Sequence, residues 1–484
     1  MNIPMKITFT EGQYELAEKT IREDPDYELP ETGGMDRALF RDYREHALRR
    51  TIRRVYEHSS FYRAAMDREG IGPGDIRGFE DMVKLPFTFP EDLRGNSYNF
   101  LCMSERYVER PVSFYSSGTT GIRKRIFFSF RDTQRIRDFI GAAMNSIADT
   151  EDTRILSLMT NSNGRGASQV YVDSVKARGM EAWTANMEDG AQTILRQLQD
   201  HRCNVWFGDI GTIYRTAKEL EAMGFDLSSI GMKLLYVTMG NISRPVRDYL
   251  TEAFQCEVIT HYGLTETGWG FAIEQSGLDG YYTNELDVYT EVVDPRTGRV
   301  LPDGEEGELT YTIIGKEAMP LIRYRSGDIA WIRRAEREGE LDLVGFIRRR
   351  LEGTLRSPSG FEVTPPMIEE VLYSFPEVID YRLYSCGNHI EVCIETVPAK
   401  KGPAEGITQA ESGDGPGLTG RICKKLSALP GLREMEPCVV TVLPPGELKQ
   451  YCYEKKHFIE KRVKNPVDTG FFTPEVCDGA QTSI

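Results

Sequence analysis

Three short segments of the chain combine residue types that could bind a nucleotide. The first, SFYSSGTTGIRKRIFFSF (113–130), has Gly118 and Gly121, which let backbone amides approach a ligand closely. The same segment carries hydroxyl groups at Ser116, Ser117, Thr119 and Thr120, and positive charge directly after them at Arg123, Lys124 and Arg125. It differs from a Walker loop, because GxxxxGK[ST] is absent and β-rich runs flank it. The segment predicts a polyphosphate site, although a plain hairpin turn is the commoner use of such residues.

The second segment, HYGLTETGWG (261–270), follows a β-rich run and turns at Gly263. Glu266 could hold Mg²⁺, since carboxylate oxygens are ligands that this ion prefers. The Thr265 hydroxyl could reach a phosphate, and the ring of Tyr262 could stack on a base. A surface loop with a solvated glutamate is the alternative, and this segment alone would favour it.

The third segment, RYRSGD (323–328), ends a predicted strand and places Asp328 after a glycine turn. A carboxylate at this point could accept hydrogen bonds from both hydroxyls of a ribose. An aspartate that caps its own turn is the more common arrangement. A fold that brings the three segments together would therefore form a nucleotide site with phosphate, magnesium and ribose contacts.

The elements around these segments predict an α/β fold. Buried strands are expected at RILSLMT (154–160), VWFGDI (205–210) and LLYVTM (234–239), with amphipathic helices between them. This alternation is typical of βαβ units and a mainly parallel sheet. Residues 36–69 show helical periodicity throughout and predict one long helix. From residue 281 strands and turns dominate, which predicts a β-rich subdomain.

The length of the chain, 484 residues, favours more than one domain. We predict a large N-terminal domain at 1–345 and a small, mobile α+β domain at 346–484. A stretch rich in glycine, proline and acidic residues predicts a mobile insertion at 398–420. The segment SCGNHIEVC (385–393) could offer metal ligands, but its apolar alternation favours a strand and a turn.

The composition excludes several classes of protein. A net charge of -15 argues against binding to nucleic acid or to an anionic membrane. No apolar run approaches the roughly 20 residues that span a bilayer, and we expect no signal peptide. Nine cysteines without a CxxC pair favour free thiols in a reducing compartment. We therefore predict a cytoplasmic protein that binds neither nucleic acid nor membrane.

In this order and at these separations, the three segments resemble the AMP-forming adenylating superfamily of acyl-CoA ligases. Further segments are similar to one branch, the phenylacetate–CoA ligase-like family: KLPFTFPEDLRGN (84–96), KEAMPLIRYRSGDIAWI (316–332) and SGFEVTPPMIEEVL (359–372). The resemblance covers most of the chain. It implies an ATP-dependent ligase that forms an acyl adenylate and passes the acyl group to CoA, with ATP, Mg²⁺ and CoA as cofactors. Homodimers are frequent in this family.

The resemblance also implies roles for individual residues. Residues 1–345 would bind ATP and the acid, and residues 346–484 would form a lid that rotates between the two steps. Glu266 would ligate Mg²⁺, and Thr265 would contact the α-phosphate. Asp328 would hold the ribose, with help from Arg348 or Arg349. The implied nucleotide contacts are the 116–121 loop, Lys124, Asn241, Tyr262, Gly263, Thr265, Asp328, Arg348 and Arg349.

The chain departs from the family pattern in its motifs for adenine and for the catalytic lysine. A GAE-like triplet is replaced by Met239, Gly240 and Asn241, so that Asn241 would meet adenine without a carboxylate. The family's catalytic lysine follows a glycine that is missing here. The segment LPPGELKQY places Lys449 in the catalytic role, and EKKHFIEKR leaves Lys455 as the alternative.

The sequence defines the acid substrate less closely than it defines the nucleotide site. Tyr115 and Trp269 could supply aromatic walls for its pocket, although such rings more often pack in a core. Three polar side chains in one segment, at Asn161, Asn163 and Arg165, favour a substituted or hydroxylated acid, aryl or short-chain. Two alternative functions stay open. One passes the acyl group to a carrier protein or another nucleophile, and the other is a degenerate family member that binds nucleotide without turnover.

Overall fold

The computed structural model describes eleven ranges of the chain. These are residues 9–28, 35–115, 123–148, 151–159, 166–238, 242–275, 277–337, 340–387, 389–397, 417–449 and 458–460. The helices are α1 (Phe9–Arg22), α2 (Arg37–His58), α3 (Ser60–Glu69), α4 (Pro90–Gly95), α5 (Phe130–Asn145), α6 (Ala167–Lys176), α7 (Ala191–Asp200), α8 (Ile210–Ala222), α9 (Arg244–Phe254), α10 (Pro365–Leu372) and α11 (Leu418–Leu426). None of the helices in these ranges is both long and apolar enough to cross a membrane.

A nine-stranded sheet forms the centre of the larger part of the molecule. Its strands are β3 (Arg154–Leu158), β4 (Glu181–Ala185), β5 (Val205–Asp209), β6 (Leu234–Thr238), β7 (Glu257–Tyr262), β8 (Ala272–Glu274), β9 (Gly280–Thr283), β13 (Ile332–Arg333) and β14 (Leu343–Gly345). The strand order is β13-β14-β9-β8-β7-β6-β5-β3-β4. From β4 to β7 neighbouring strands are parallel, which confirms the predicted βαβ units. From β7 onwards they are antiparallel, because the link from β7 to β8 is too short for a crossover helix.

Helices cover both faces of the parallel strands, and this explains their apolar sequences. On one face Phe207 and Tyr236 pack in a cluster with residues of α1, α5 and α6. On the other face Trp206 and Leu235 pack with residues of α7, α8 and α9. The strands therefore read as continuous apolar runs, and their side chains position the polar residues at their carboxyl ends.

We call the described residues from 9 to 350 the N-terminal unit. An antiparallel hairpin and an antiparallel sheet complete it. A hairpin joins β1 (Val108–Tyr115) to β2 (Arg123–Ser129). A four-stranded sheet contains β10 (Val288–Val293), β11 (Gly307–Ile313), β12 (Tyr324–Ala330) and β15 (Arg349–Arg350), in that order. The hairpin and this sheet share a core with α2. Since β15 pairs with β12, residues 349–350 stay with the N-terminal unit, and this unit extends five residues beyond the predicted boundary at 345.

The C-terminal unit, the described residues from 355 to 460, has its own core. A short hairpin of β16 (Leu355–Arg356) and β17 (Glu362–Val363) precedes α10. A four-stranded sheet has the order β20-β19-β18-β21 and contains β18 (Val378–Cys386), β19 (His389–Thr396), β20 (Val439–Leu443) and β21 (Phe458–Glu460). This confirms the predicted α+β unit. The SCGNHIEVC segment forms the β18–β19 hairpin, as predicted, and one ligand atom from each of Cys386, His389 and Glu391 lies within 4.8 Å of the others.

Two details of the sequence-based prediction were wrong. The predicted helix over 36–69 is two helices, because Ser59 is extended (φ -96°, ψ 118°). Its N–H still donates to the Val55 carbonyl of α2, while its hydroxyl oxygen accepts from the Tyr62 N–H of α3. One serine therefore ends the first helix and caps the second. The predicted insertion at 398–420 is also too long, because α11 begins at Leu418; residues 398–416 lie outside the described ranges.

Candidate functional site

The predicted phosphate loop is flanked by two antiparallel strands. Tyr115 ends β1 and pairs with Arg123 at the start of β2, so that the chain reverses over the seven residues between them. Strands therefore flank the loop on both sides, as the sequence predicted. The loop residues Ser116, Ser117, Gly118, Thr119, Thr120 and Gly121 lie outside the described residues. The predicted site residues Asn163, Asn241 and Lys455 and the side chain of Tyr115 also lie outside them.

Lys124, the second residue of β2, meets the predicted magnesium carboxylate. Its ammonium donates to Glu266 Oε1 at 3.3 Å and to the Tyr324 hydroxyl oxygen at 3.0 Å. The Tyr324 hydroxyl donates to the same Glu266 oxygen at 2.7 Å. Burial and the nearby carboxylate raise the pKa of Tyr324 well above its usual value, so that its hydroxyl stays a donor. Residues from all three sequence segments thus meet in one buried cluster.

A second lysine lies beneath this cluster and was missed by the sequence analysis. The ammonium of Lys316 donates to the main-chain carbonyl of Glu266 at 2.7 Å and lies 4.4 Å from the centre of the Phe128 ring. Burial lowers the pKa of Lys316 to about 8, despite the nearby carboxylates. Lys316 fixes the main chain that carries Glu266. Its signal in the sequence was a cation next to the apolar run AMPLI, where a solvated lysine is not expected.

Asp328 joins the second and third segments through Tyr262. The Tyr262 hydroxyl donates to Asp328 Oδ2 at 2.6 Å, and the Tyr311 hydroxyl donates to the Tyr262 oxygen at 3.0 Å. Arg350 donates through Nε to Asp328 Oδ1, also at 2.6 Å. The N–H of Asp328 donates to the Ser326 hydroxyl. The carboxylate is therefore held by two side chains from distant parts of the chain.

The arginine that contacts Asp328 is one or two positions later than the sequence analysis expected. Arg349 pairs with Glu362 of β17 at 2.9 Å. Arg348 is half exposed, and its guanidinium lies 3.6 Å from Glu306. Side chains alternate along a strand, so the antiparallel pairing of β12 with β15 places Arg350 opposite Asp328. The segment GFIRRR (345–350) contains three successive arginines and gave no sequence signal that could distinguish them.

The turn after β7 holds Glu266 in a closely packed loop. A side-chain carbon on Gly263 would lie 1.7 Å from the Trp269 carbonyl oxygen, so only glycine fits. Thr265 is half-buried, and its carbonyl oxygen accepts a hydrogen bond from the Gly268 N–H. Trp269 has φ 66° and stacks on Phe128, with 5.0 Å between the ring centres. The Trp269 ring therefore packs against the core of the N-terminal unit and also lies 5.9 Å from the Arg110 guanidinium. Its predicted place in an acid pocket stays a prediction.

A row of aromatic residues on the α6 side of the sheet was also missed. Tyr171 stacks on Phe207 at 3.8 Å between ring centres, and Phe207 stacks on Tyr236 at 5.0 Å. His261 ends the row, with Nδ1 at 2.8 Å from the Thr238 hydroxyl. Burial lowers the pKa of His261 to about 4, so the imidazole is neutral at pH 7. The row reaches the strand ends that carry the nucleotide-site residues.

Lys449 lies on the other side of the sheet from this row. Its ammonium is 3.3 Å from the Glu188 carbonyl oxygen and 3.4 Å from that of Asp189, in the loop between β4 and α7. The structure therefore does not bring Lys449 to Glu266 or Asp328. A catalytic role for Lys449 or for Lys455 stays a prediction.

Comparisons with known proteins agree with this fold. Residues 112–317 match the family described as AMP-binding enzyme. Phenylacetate-coenzyme A ligase of Aromatoleum evansii is 28% identical over 360 residues, which cover 68% of this chain and 74% of that protein. A crystal structure of 2-hydroxyisobutyryl-CoA ligase in the postadenylation state has a TM-score of 0.70 at 16% identity, and covers 91% of this chain and 95% of that one. The same ligase in the thioesterification state has a TM-score of 0.59 at 17% identity over the same shares.

Proposed function

Because the chain belongs to the phenylacetate–CoA ligase-like branch of the AMP-forming adenylating enzymes, we propose that it joins an aryl or hydroxylated carboxylic acid to CoA. The chain is an ATP-dependent, AMP-forming acid–CoA ligase that works through an acyl adenylate. Its acid substrate and its working residues are inferred from the site. The main observation behind the assigned residues is that Lys124, Glu266 and Asp328, which are far apart in sequence, lie in two hydrogen-bonded clusters.

The residues present fit ATP and Mg²⁺. Glu266 offers a buried carboxylate, the ligand type that Mg²⁺ prefers, and the amine beside it suits a phosphate. Asp328 offers a carboxylate already oriented by Tyr262 and Arg350, as recognition of a ribose requires. Mg²⁺, when bound, would neutralise phosphate charge and so lower the repulsion between a carboxylate and ATP.

In the first step the residues of the chain would position the two anions for reaction. Lys124 and the amides of the 116–121 loop would hold the β- and γ-phosphates, and Thr265 would contact the α-phosphate. A carboxylate oxygen of the acid would then attack the α-phosphorus in line with the bond to pyrophosphate. That bond breaks, and acyl adenylate and pyrophosphate form. Tyr324 and Lys316 would act through Glu266, because they fix its side chain and its main chain respectively.

In the second step the CoA thiol would attack the carbonyl carbon of the acyl adenylate. The bond between this carbon and the phosphate oxygen breaks, so that AMP leaves and a thioester forms. We propose that the C-terminal unit, which begins after β15, acts as the lid, with Lys449 or Lys455 serving the first step only. No cysteine nucleophile is required, because AMP itself is a good leaving group.

The aromatic row supports the proposed acid. The stacked rings of Tyr171, Phe207 and Tyr236 would suit an aryl group. Asn163 lies in the segment that precedes α6, the helix that carries Tyr171. This combination favours a hydroxylated aryl acid over a plain aliphatic one.

The test is ATP–pyrophosphate exchange with a panel of aryl, hydroxyaryl and short aliphatic acids, each with and without CoA. We expect exchange with aryl or hydroxyaryl acids, and AMP release that requires CoA. Exchange with no CoA-dependent release of AMP would favour a carrier protein as acceptor. A protein that binds ATP but supports exchange with no acid would contradict the proposal and favour a degenerate family member.

We also propose a cytoplasmic location, because the nine cysteines of the chain include no CxxC pair, a usage that favours a reducing compartment. A homodimer is the proposed assembly, by analogy with the family alone. Sedimentation of the purified protein tests it, and a single monomeric species would contradict it.

A further inference from the structure

A buried arginine connects the two units of the chain. Arg215, on α8, donates through Nη1 to Glu395 Oε1 at 2.6 Å and through Nη2 to Glu395 Oε2 at 3.0 Å. The same Nη2 donates to Asp380 Oδ2 at 3.1 Å. Asp380 and Glu395 lie on β18 and β19 of the C-terminal unit. The three residues are only 2%, 3% and 1% exposed, so neither carboxylate has water as a substitute partner.

Glu395 passes this contact on to the segment that follows β20. Its Oε1 accepts the Gly446 N–H at 2.6 Å, and its Oε2 accepts the Leu448 N–H at 3.0 Å. The next residue, Lys449, reaches back to the carbonyls of Glu188 and Asp189. Arg215 therefore sets the position of the 446–449 segment through a single carboxylate.

Apolar contacts surround the charged group at the same interface. The Tyr214 hydroxyl donates to the Val378 carbonyl at 3.1 Å, and its ring lies 5.1 Å from that of Tyr373. Tyr373 packs against the core clusters of both units. At the exposed edge of this interface, the main-chain N–H of Arg244 donates to Glu370 Oε1 at 2.9 Å. The interface thus resembles a protein interior, with a paired charge at its centre.

Loss of one partner of this pair should destabilise the observed arrangement of the units. Removing one partner of a buried ion pair leaves an uncompensated buried charge, which costs far more than the intact pair contributes. Without Arg215, Asp380 and Glu395 would gain solvation only by leaving α8. Loss of the arginine should therefore favour any arrangement in which the C-terminal unit has moved away.

We propose that Arg215 is a positioning residue, which holds the C-terminal unit in the arrangement used for adenylate formation and must release Asp380 and Glu395 before thioester formation. This inference rests on the proposed function. Over the same 91% of the chain, the structure is more similar to the postadenylation state of 2-hydroxyisobutyryl-CoA ligase than to its thioesterification state. The observed pairs accordingly belong to the first of these arrangements. Because Lys449 is held at Glu188 and Asp189 in this arrangement, Lys455 would be the lysine of the first step.

The test measures the two half-reactions of Arg215→Met separately. Pyrophosphate exchange should fall by at least about tenfold, as expected when the competent state changes from dominant to minor. Thioester formation from supplied acyl adenylate and CoA should stay within about twofold of the wild type or rise. Arg44→Met is the matched control, because Arg44 is buried on Glu285 within the N-terminal unit. It should change both half-reactions by the same factor.

Equal losses in both half-reactions of Arg215→Met, as in the control, would overturn the proposal. Arg215→Lys, which keeps the charge on a shorter side chain, should show the same split to a smaller extent and serves if the methionine variant does not fold. Amide hydrogen exchange provides a readout without activity: Gly446 and Leu448 should exchange faster in either Arg215 variant than in the wild type. Unchanged exchange at both amides would contradict the proposal. A wild type without pyrophosphate exchange would contradict the proposed function instead, and the amide data would still decide on Arg215.

Discussion

The substitution Gly263→Ala should inactivate adenylation by displacing Glu266. The added methyl carbon would lie 1.7 Å from the Trp269 carbonyl oxygen, whereas ordinary contacts begin at 3.4 Å. The two ends of the turn must therefore separate by well over 1 Å. This turn carries Thr265 and Glu266, and a misplacement of about 1 Å in a catalytic group can cost about 100-fold in rate. We expect at least that loss.

The assay is initial-rate pyrophosphate exchange at saturating ATP and acid, with thermal unfolding measured in parallel. Gly270→Ala is the matched control on the same turn. Its added carbon would meet Ile140 at 3.5 Å and His261 Nε2 at 3.6 Å, which are ordinary contacts. The control should keep its exchange rate within a few-fold of the wild type. A wild-type exchange rate in Gly263→Ala would refute the reasoning. It would mean that adenylation tolerates a displacement of Thr265 and Glu266 by more than 1 Å.

Three further predictions concern single side chains of the site. The difference in the free energy of unfolding between Lys316→Met and the wild type should depend on pH. Burial lowers the pKa of Lys316 from 10.5 to about 8. The buried cation therefore destabilises the wild type fully below pH 8, and this destabilisation declines towards pH 10.5. Urea unfolding should show the wild type gaining about 2 kcal/mol on the variant between pH 7.5 and 9.5, and a constant gap would contradict the lowered pKa. Asp328→Asn should raise KM for ATP by about 10- to 100-fold and reduce discrimination against 2′-deoxy-ATP, since hydrogen bonds to a charged group are worth about 1.5–3 kcal/mol; unchanged discrimination would remove the ribose role. Tyr324→Phe deletes the 2.7 Å hydrogen bond to Glu266 and should raise the Mg²⁺ concentration for half-maximal exchange, whereas a loss in rate at unchanged Mg²⁺ dependence would place Tyr324 elsewhere in the mechanism.

Local pattern was sufficient to predict the parallel half of the central sheet. The strands β3, β5 and β6 begin at the predicted residues and end one or two residues earlier, because each is buried on both faces and reads as an apolar run. The antiparallel continuation after β7 was not predicted. Its strands are only two to four residues long, too short to show a period.

Site residues were predictable where one motif carries its own chemistry, as Glu266 and Asp328 do. Lys316, Arg350 and Arg215 act through partners 22 to 180 residues away, so that their roles depend on strand register and on the packing of the two units. The sequence did not predict the break between α2 and α3 at Ser59. Both helices bury their apolar faces in one cluster, so the helical period of apolar residues continues across the break.

The central claim is that the three segments form one adenylating centre around Glu266. The most direct measurement is a single turnover without CoA, quenched and analysed by mass spectrometry for the acyl adenylate, with wild type and Glu266→Gln compared at equal ATP occupancy. The wild type should accumulate an adenylate whose mass identifies the acid, while the folded variant should form it at least about 100-fold more slowly, as expected for loss of the proposed metal ligand. An adenylate formed at the wild-type rate by Glu266→Gln would contradict the claim.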